Sequence, residues 1–315
     1  MMPVHMTEYA IGLDLGGTNL RAAAIDQSGT LLQRISGATN FQEGREAVLS
    51  DIVAAISQLR ASCGAEGLRG IGVGVPGFIR IQEGLITNSN NLPYLENVPI
   101  RDVLSAKLQT RVILENDANA AALGEKWMGA GSGVDDLVLL TLGTGIGGGI
   151  VSGGRILRGN VGMAGEFGHI SVVPNGNPCG CGNQGCLEKH PSATAVSAMA
   201  RLMQLGEDLT AKDVYELAGR DSEAGEKART VWRVVGEALG MAMAALINTF
   251  NFPLYLLSGG MLPAWEYFAP HMMRVAMQRS FTFRATANQT RIAQATLGNL
   301  AGLYGAAYLP WAENQ

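Results

Sequence analysis

The chain has 315 residues, 47% of them hydrophobic and 16% charged, and carries a formal net charge of −4. That composition can fill the cores of two ordinary domains and excludes a disordered chain. Net acidity without a Lys/Arg run excludes nucleic acid as the main partner, and the opening MMPVHMTEYA lacks the basic and apolar regions of a signal peptide, so a cytoplasmic protein with no membrane partner is expected.

The first predicted element is a strand over YAIGLDL (9–15), followed by a turn of Gly16, Gly17, Thr18 and Asn19 and a second strand over LRAAAI (20–25). An amphipathic helix follows from Arg45 to about Leu59, then a strand near 71–75 and a helix from about Pro99 to Leu108. A strand over 111–116 leads into a helix beginning at Ala118. The strand–turn–strand pattern then recurs as DLVLLTL (136–142), Gly143 to Gly149, and IVSGG. A long helical stretch spans Thr230 to Phe250, the strand LYLLS (254–258) ends in Gly259 and Gly260, and a last helix runs from Gly298 to Leu309. Ala238 to Leu257 is uncharged over a membrane-span length, but Asn248, Thr249, Asn251 and Pro253 interrupt it, so it reads as buried helix, turn and core strand. Mixed elements with two related openings predict an α/β protein of two similar lobes.

Three of the four cysteines, Cys179, Cys181 and Cys186, follow His169, one of only four histidines. Thiolates and imidazole at this spacing suit a tetrahedral Cys3His zinc site, and four protein ligands would make the metal structural. The alternatives are a disulfide with spare thiols, or three small buried residues. Closing such a site draws Glu166 and Glu188 together, and two carboxylates beside an imidazole suit the adjacent hydroxyls of a polyol, a sugar above all. Ordinary solvated loop charge is the other reading of both glutamates.

The glycine turns invite two nucleotide motifs. Gly143, Gly145 and Gly148 satisfy G-x-G-x-x-G, but Ile150 and Val151 continue as strand where a dinucleotide site needs a helix, and no G-K-[ST] exists for a Walker A loop. Glycine still lets backbone N–H groups approach an anion, with Thr18 and Thr144 adding hydroxyls, so two tips facing each other could hold a triphosphate. Plain glycine hairpins without a ligand are the alternative.

Taken together, Asp14-Leu-Gly-Gly-Thr-Asn-Leu-Arg21, Gly74-Val-Pro-Gly77, Glu115-Asn-Asp-Ala-Asn119, Leu142-Gly-Thr-Gly-Ile-Gly-Gly-Gly149, Glu166-Phe-Gly-His169, the segment from Cys179 to Glu188 and Leu257-Ser-Gly-Gly-Met261 resemble the ROK family of sugar kinases and sugar-responsive repressors, most closely its zinc-containing kinases. The resemblance runs in the family's order over nearly the whole chain. It implies an actin-like, hexokinase-like fold of two ribonuclease-H-like lobes, with ATP and sugar in the cleft between them. The expected first lobe is 1–118 with about 300–315, brought back by the last helix, and the expected second lobe is 119–299.

By the same resemblance Asp117, at a strand-to-helix corner, is the catalytic base for a sugar hydroxyl; a helix N-cap is its structural alternative. Gly77, Asn91, Asn116, Asp117, Glu166, His169 and Glu188 are implied as sugar-binding residues. Asp14, Gly16, Gly17, Thr18, Asn19, Arg21, Thr144, Gly145, Gly259 and Gly260 are implied for ATP, with Asp14 the partner of Mg2+ through water or, alternatively, a cap of the glycine turn. His169 would give one ring nitrogen to structural zinc, with Cys179, Cys181 and Cys186, and the other to sugar. The implied activity is ATP-dependent phosphorylation of a hexose 6-hydroxyl by a homodimer, glucose first, with N-acetylglucosamine, mannose, allose and fructose as alternatives. A sugar-sensing regulator is the competing class, disfavoured because thirteen residues ahead of Asp14 leave no room for a DNA-binding segment. Two departures from the family stand out: Pro191-Ser192-Ala193, where a glycine is usual, and Phe78-Ile-Arg-Ile-Gln82, where an acidic residue is common. Cys63 reads as a small apolar residue.

Overall fold

The computed structural model describes residues 8–16, 19–89 and 92–312, Asn88 by its backbone alone. The sheet-forming run at the start is the predicted hairpin plus one more strand: β1 (Tyr9–Leu15), β2 (Asn19–Asp26) and β3 (Leu31–Ala38). Helix α1 (Arg45–Cys63) buries Val48, Leu49, Ile52, Ile56 and Leu59, the helical stripe that the sequence carries. Then come β4 (Leu68–Val75), the small hairpin β5 (Phe78–Arg80) and β6 (Leu85–Asn88), α2 (Ile100–Leu108), β7 (Val112–Asn116) and α3 (Asp117–Met128). The second series opens with β8 (Leu137–Leu142), β9 (Ile146–Ser152) and β10 (Arg155–Ile156). It continues with α4 (Ala193–Leu202), α5 (Ala211–Ala218), α6 (Glu223–Phe250), β11 (Leu254–Ser258), α7 (Trp265–Arg279), α8 (Phe281–Thr286), β12 (Arg291–Gln294) and α9 (Ala301–Ala312).

Each series builds a five-stranded sheet, and the two orders correspond: β3-β2-β1-β4-β7 and β10-β9-β8-β11-β12. In the first, β1 pairs antiparallel with β2 and parallel with β4, which pairs parallel with β7. In the second, β11 likewise pairs parallel with both β8 and β12. Repetition of one strand order is the structural counterpart of the two related sequence openings.

The described residues fall into two units, one drawn from Met1–Asp135, Gly149–Ala164 and Thr296–Gln315, the other from Asp136–Gly148 and Gly165–Ala295. The boundary expected at residue 118 therefore lies inside the first unit, because α3 packs along α9 and both lie against its sheet. The last helix belongs to the first unit, contacting β1 and β4. Glycine makes that approach possible: a Cβ on Gly12 would strike the Leu303 carbonyl, one on Gly72 the Ala306 carbonyl, and one on Gly305 the Ala120 carbonyl. Glu125, fully buried on α3, fastens the segment ahead of α9, its carboxylate accepting from the Leu297 N–H at 2.7 Å, the Thr296 N–H at 3.1 Å and the Ala130 N–H at 2.9 Å.

In the second unit α6 and α7 lie together, with Gly236 against the Phe268 carbonyl and Gly240 against Val275. Among the described residues α6 is the one helix long and apolar enough to cross a membrane, yet 67% of that stretch is buried in the protein. The uncharged stretch 238–257 is indeed helix, turn and strand: α6 ends at Phe250, its C-cap Asn251 with φ of 51° stops it, and β11 follows. The helix starts earlier than the expected Thr230, because Ser222 caps it by accepting from the Gly225 N–H. The last helix starts later than Gly298, after a 3-10 turn at Gly298–Leu300.

Candidate active site

Two features of the first unit hold the residues singled out in its sequence. At the β1–β2 turn the Gly16 N–H donates to the Asn19 carbonyl at 2.8 Å. Asp14 and Arg21 face each other across the hairpin, with Arg21 Nη1 3.6 Å from Asp14 Oδ2. Burial raises the Asp14 carboxyl above its ordinary value, and the Arg21 guanidinium opposes the rise. Gly302 of α9 packs beside that carboxylate, where a Cβ would lie 3.4 Å from Asp14 Cγ. Gly17 and Thr18, expected at this tip, and Asn91, expected at the sugar, lie outside the described residues.

The second feature is the β7–α3 corner. Asn116 is the N-cap of α3: its side-chain oxygen accepts from Ala118 N–H at 2.9 Å and Asn119 N–H at 3.1 Å, while its amide nitrogen donates to the Gly77 carbonyl at 3.2 Å. Gly77, with φ of 114°, takes a conformation that favours glycine. Capping therefore falls on Asn116, and half-buried Asp117 opens the helix with Oδ1 accepting from the Ala118 N–H at 2.8 Å. Behind the corner lies Glu115, fully buried. Its Oε1 accepts from Asn116 N–H and from Asn119 Nδ2, each at 3.0 Å, and its Oε2 accepts from Arg158 Nε at 2.7 Å. Glu115 belongs to a quoted motif, but its ion pair was not foreseen, since Arg158 is far away in sequence.

In the second unit the glycine run joins β8 to β9, so it passes from strand to strand, as its apolar continuation required. The Gly143 N–H donates to the Gly145 carbonyl at 3.0 Å, and Thr144 is exposed. Two contacts tie this tip to the segment after the cysteines. Glu188 Oε2 accepts from the Ile146 N–H at 3.1 Å and occupies the space that a Cβ on Gly145 would need. Ala193 N–H donates to the Gly143 carbonyl at 2.8 Å, so Ala193 keeps a backbone contact with the tip although glycine is usual there. Ser192 caps α4 through the Ala195 N–H, as a helix start following Pro191 requires. Gly259, with φ of 105°, packs on the Leu142 backbone at the end of β8, whereas the space around Gly260 is open.

His169 ends a 3-10 turn, Phe167–His169, and the cysteine loop folds back on it. Cys179 N–H donates to the Asn183 carbonyl at 2.8 Å, Ser171 bridges Cys186 in an isolated β-bridge, and Leu187 N–H donates to the Ile170 carbonyl at 2.8 Å. The ligand atoms of His169, Cys179, Cys181 and Cys186 consequently all lie within 4.8 Å of one another. Cys179 Sγ is 3.7 Å from His169 Nδ1, and Cys181 Sγ is 3.7 Å from Cys186 Sγ. Tetrahedral zinc with bonds of about 2.3 Å sets its sulfurs about 3.8 Å apart, whereas a disulfide needs about 2.05 Å. The donor set fits zinc, all four cysteines are free thiols, and the disulfide alternative is corrected. His169 and Glu188 lie near Glu166. Glu166 is exposed over much of its surface, yet the protein packed round its carboxyl raises it above the ordinary value, with His169 pulling it down and Glu188 pushing it up.

Comparison with known proteins agrees with this construction. The family model described as "ROK family" matches residues 10–313. A protein named glucokinase from Halalkalibacterium halodurans is 37% identical over 96% of this chain and 94% of its own length. A crystal structure of a ROK hexokinase from Thermus thermophilus has a TM-score of 0.84 at 33% identity, covering 97% of this chain and 99% of that one. A ROK family glucokinase from Streptomyces griseus, solved in complex with glucose and AMPPNP, has a TM-score of 0.76 at 31% identity over 96% of this chain and 98% of its own. The fold is therefore the actin-like, hexokinase-like one that the motifs implied. With its duplicated strand order, its motifs and almost its full length matched, this chain belongs to the ROK family.

Proposed function

We propose that this protein transfers the γ-phosphoryl group of ATP to the 6-hydroxyl of a hexose, with glucose the preferred acceptor. The observation that carries this reading is the β7–α3 corner: Asn116 does the capping, and Asp117 stands on a fixed backbone at the helix start. A carboxylate so placed accepts the proton of the attacking hydroxyl, after which in-line transfer needs positioning and charge neutralisation rather than a covalent enzyme intermediate. Relatives named glucokinase, one of them solved with glucose and AMPPNP, support glucose and ATP as the pair.

The sugar partners in this reading are Gly77, Asn91, Asn116, Asp117, Glu166, His169 and Glu188. The carboxylates accept from vicinal hydroxyls, and the imidazole nitrogen not turned to the thiols completes the set. Backbone N–H groups at Gly16, Gly17, Thr18 and Asn19, with Arg21, serve the phosphates, as do Thr144 and Gly145, and Gly259 and Gly260 border adenosine. Asp14 would hold Mg2+ through water, and the ion supplies charge neutralisation for the triphosphate. His169, Cys179, Cys181 and Cys186 would hold a structural zinc, which fixes the orientation of the His169 ring. Cytoplasmic location fits the four free thiols, and a homodimer rests on the family resemblance.

The test is Asp117→Asn. Turnover should fall by about 10² to 10⁴, the usual worth of a general base, while sugar affinity measured by calorimetry stays within a few-fold. Unchanged turnover would remove Asp117 from the base role.

A further inference from the structure

We propose that Glu115 and Arg158 form a positioning pair that holds the Asn116–Asp117 corner in register for phosphoryl transfer; the inference rests on the reading of Asp117 as base. Glu115 is fully buried, and a buried carboxylate is costly unless its charge is paired and its lone pairs are used. Here both conditions are met. Arg158 Nε supplies the charge at 2.7 Å, and the second oxygen takes two donors that belong to the corner itself, Asn116 N–H and Asn119 Nδ2, at 3.0 Å each.

Those two donors are what make the pair more than a core ion pair. Asn116 N–H precedes the residue that carries the base, and Asn119 lies one turn along α3, so one carboxylate grips the corner on both sides of Asp117. Asn116 in turn holds the Gly77 carbonyl. Displacing Glu115 Oε1 would therefore shift Asp117 and the Gly77 loop together. Arg158 is what keeps Glu115 in place, because without this cationic partner a buried charge is left unpaired and is driven to turn towards water.

Arg158 also differs from a sealed core residue in being reachable. Its side chain is 36% exposed and lines a cavity of about 380 Å³ with Arg80, Gln82, Glu83, Asn160 and Val161. A small guanidinium ion can enter where the side chain has been cut away. The cavity also includes the Arg80 to Gln82 segment whose sequence departs from the family, so that departure borders the pair rather than the base.

The experiment compares Arg158→Ala, Arg158→Lys, Glu115→Gln and the double variant Arg158→Ala/Glu115→Gln with parent and Asp117→Asn, measuring kcat, KM for sugar and ATP, and thermal midpoint. Arg158→Ala should lose about tenfold or more in kcat, the effect of a misplaced base, with KM for ATP within about threefold. Millimolar methylguanidinium should restore part of that loss in Arg158→Ala and none in the double variant, which has no buried charge to neutralise. Arg158→Lys keeps the charge and should keep the thermal midpoint while remaining slower than parent, because ammonium lacks the planar fork.

A kcat for Arg158→Ala within twofold of parent, with Asp117→Asn inactive, overturns the pairing. So does a loss of activity in Arg158→Ala and Arg158→Lys that follows the folded fraction. An active Asp117→Asn is a different failure: it removes the base that the pair is meant to position.

Discussion

Replacing Glu125 by Ala should destabilise the first unit while leaving the chemistry of the folded enzyme intact. The carboxylate is fully buried and accepts from the N–H groups of Ala130, Thr296 and Leu297, so truncation strips three backbone donors of their partner. A donor stranded in a dry interior costs about 1–3 kcal/mol. The segment around Thr296 is partly exposed, so water can re-satisfy some of them, and the expected loss is about 3 kcal/mol rather than the full sum. At about 2–4 °C per kcal/mol for domains of this size, the thermal midpoint should fall by about 6–12 °C. Glu125→Gln should lie between, because its amide keeps one acceptor but turns an N–H2 toward donors. Calorimetry or circular dichroism reads the midpoint, and turnover per folded mole reads the chemistry. A midpoint within about 2 °C of parent for Glu125→Ala would refute the fastening role, given the same conversion.

Other perturbations follow from the same contacts. Gly305→Ala would press a Cβ onto the Ala120 carbonyl between α9 and α3, and should cost about 2 kcal/mol or more in urea unfolding; an unchanged midpoint denies the close approach. Metal analysis should find about one zinc per chain, and chelation should lower the thermal midpoint of the parent but not of a Cys179→Ser variant already lacking metal; a metal-free, fully stable parent contradicts the Cys3His reading. Asp14 has a folded value raised by burial, so the folded state binds its proton more tightly than the unfolded state does, and stability declines as pH rises from about 4 through the raised value. Asp14→Asn should therefore raise the midpoint at neutral pH, with the gap closing toward pH 4, while abolishing turnover; a variant less stable than parent at neutral pH reverses the sign and refutes the argument.

Much of the site could be read from the chain because its pieces are local. The corner residues Asn116 and Asp117, the glycine run from Gly143 and the cysteine loop each lie within a short stretch, and local spacing controls their geometry. The cluster of His169 with the three cysteines was legible for the same reason, with His169 ten residues from Cys179. What escaped depends on partners far apart. Glu115 meets Arg158 across 43 residues and Glu125 meets Leu297 across 172, and no periodicity connects them. Edge elements escaped too: β12 has only four residues, Arg291–Gln294, too few for an alternation to register. The expected lobe boundary sits beside Asp117 because motifs mark chemistry, whereas contacts place α3 with α9 through small residues such as Gly124 and Gly305 that carry little hydrophobic signal.

The central claim is sugar phosphorylation at the 6-hydroxyl, and the direct measurement is the product. The protein should be incubated with ATP, Mg2+ and, separately, glucose, mannose, fructose, allose and N-acetylglucosamine, with Asp117→Asn alongside, and each phosphorylated sugar identified by NMR. The account predicts glucose 6-phosphate as the fastest-formed product, lost in the variant. No phosphorylated sugar from any hexose, with sugar binding retained, would contradict it.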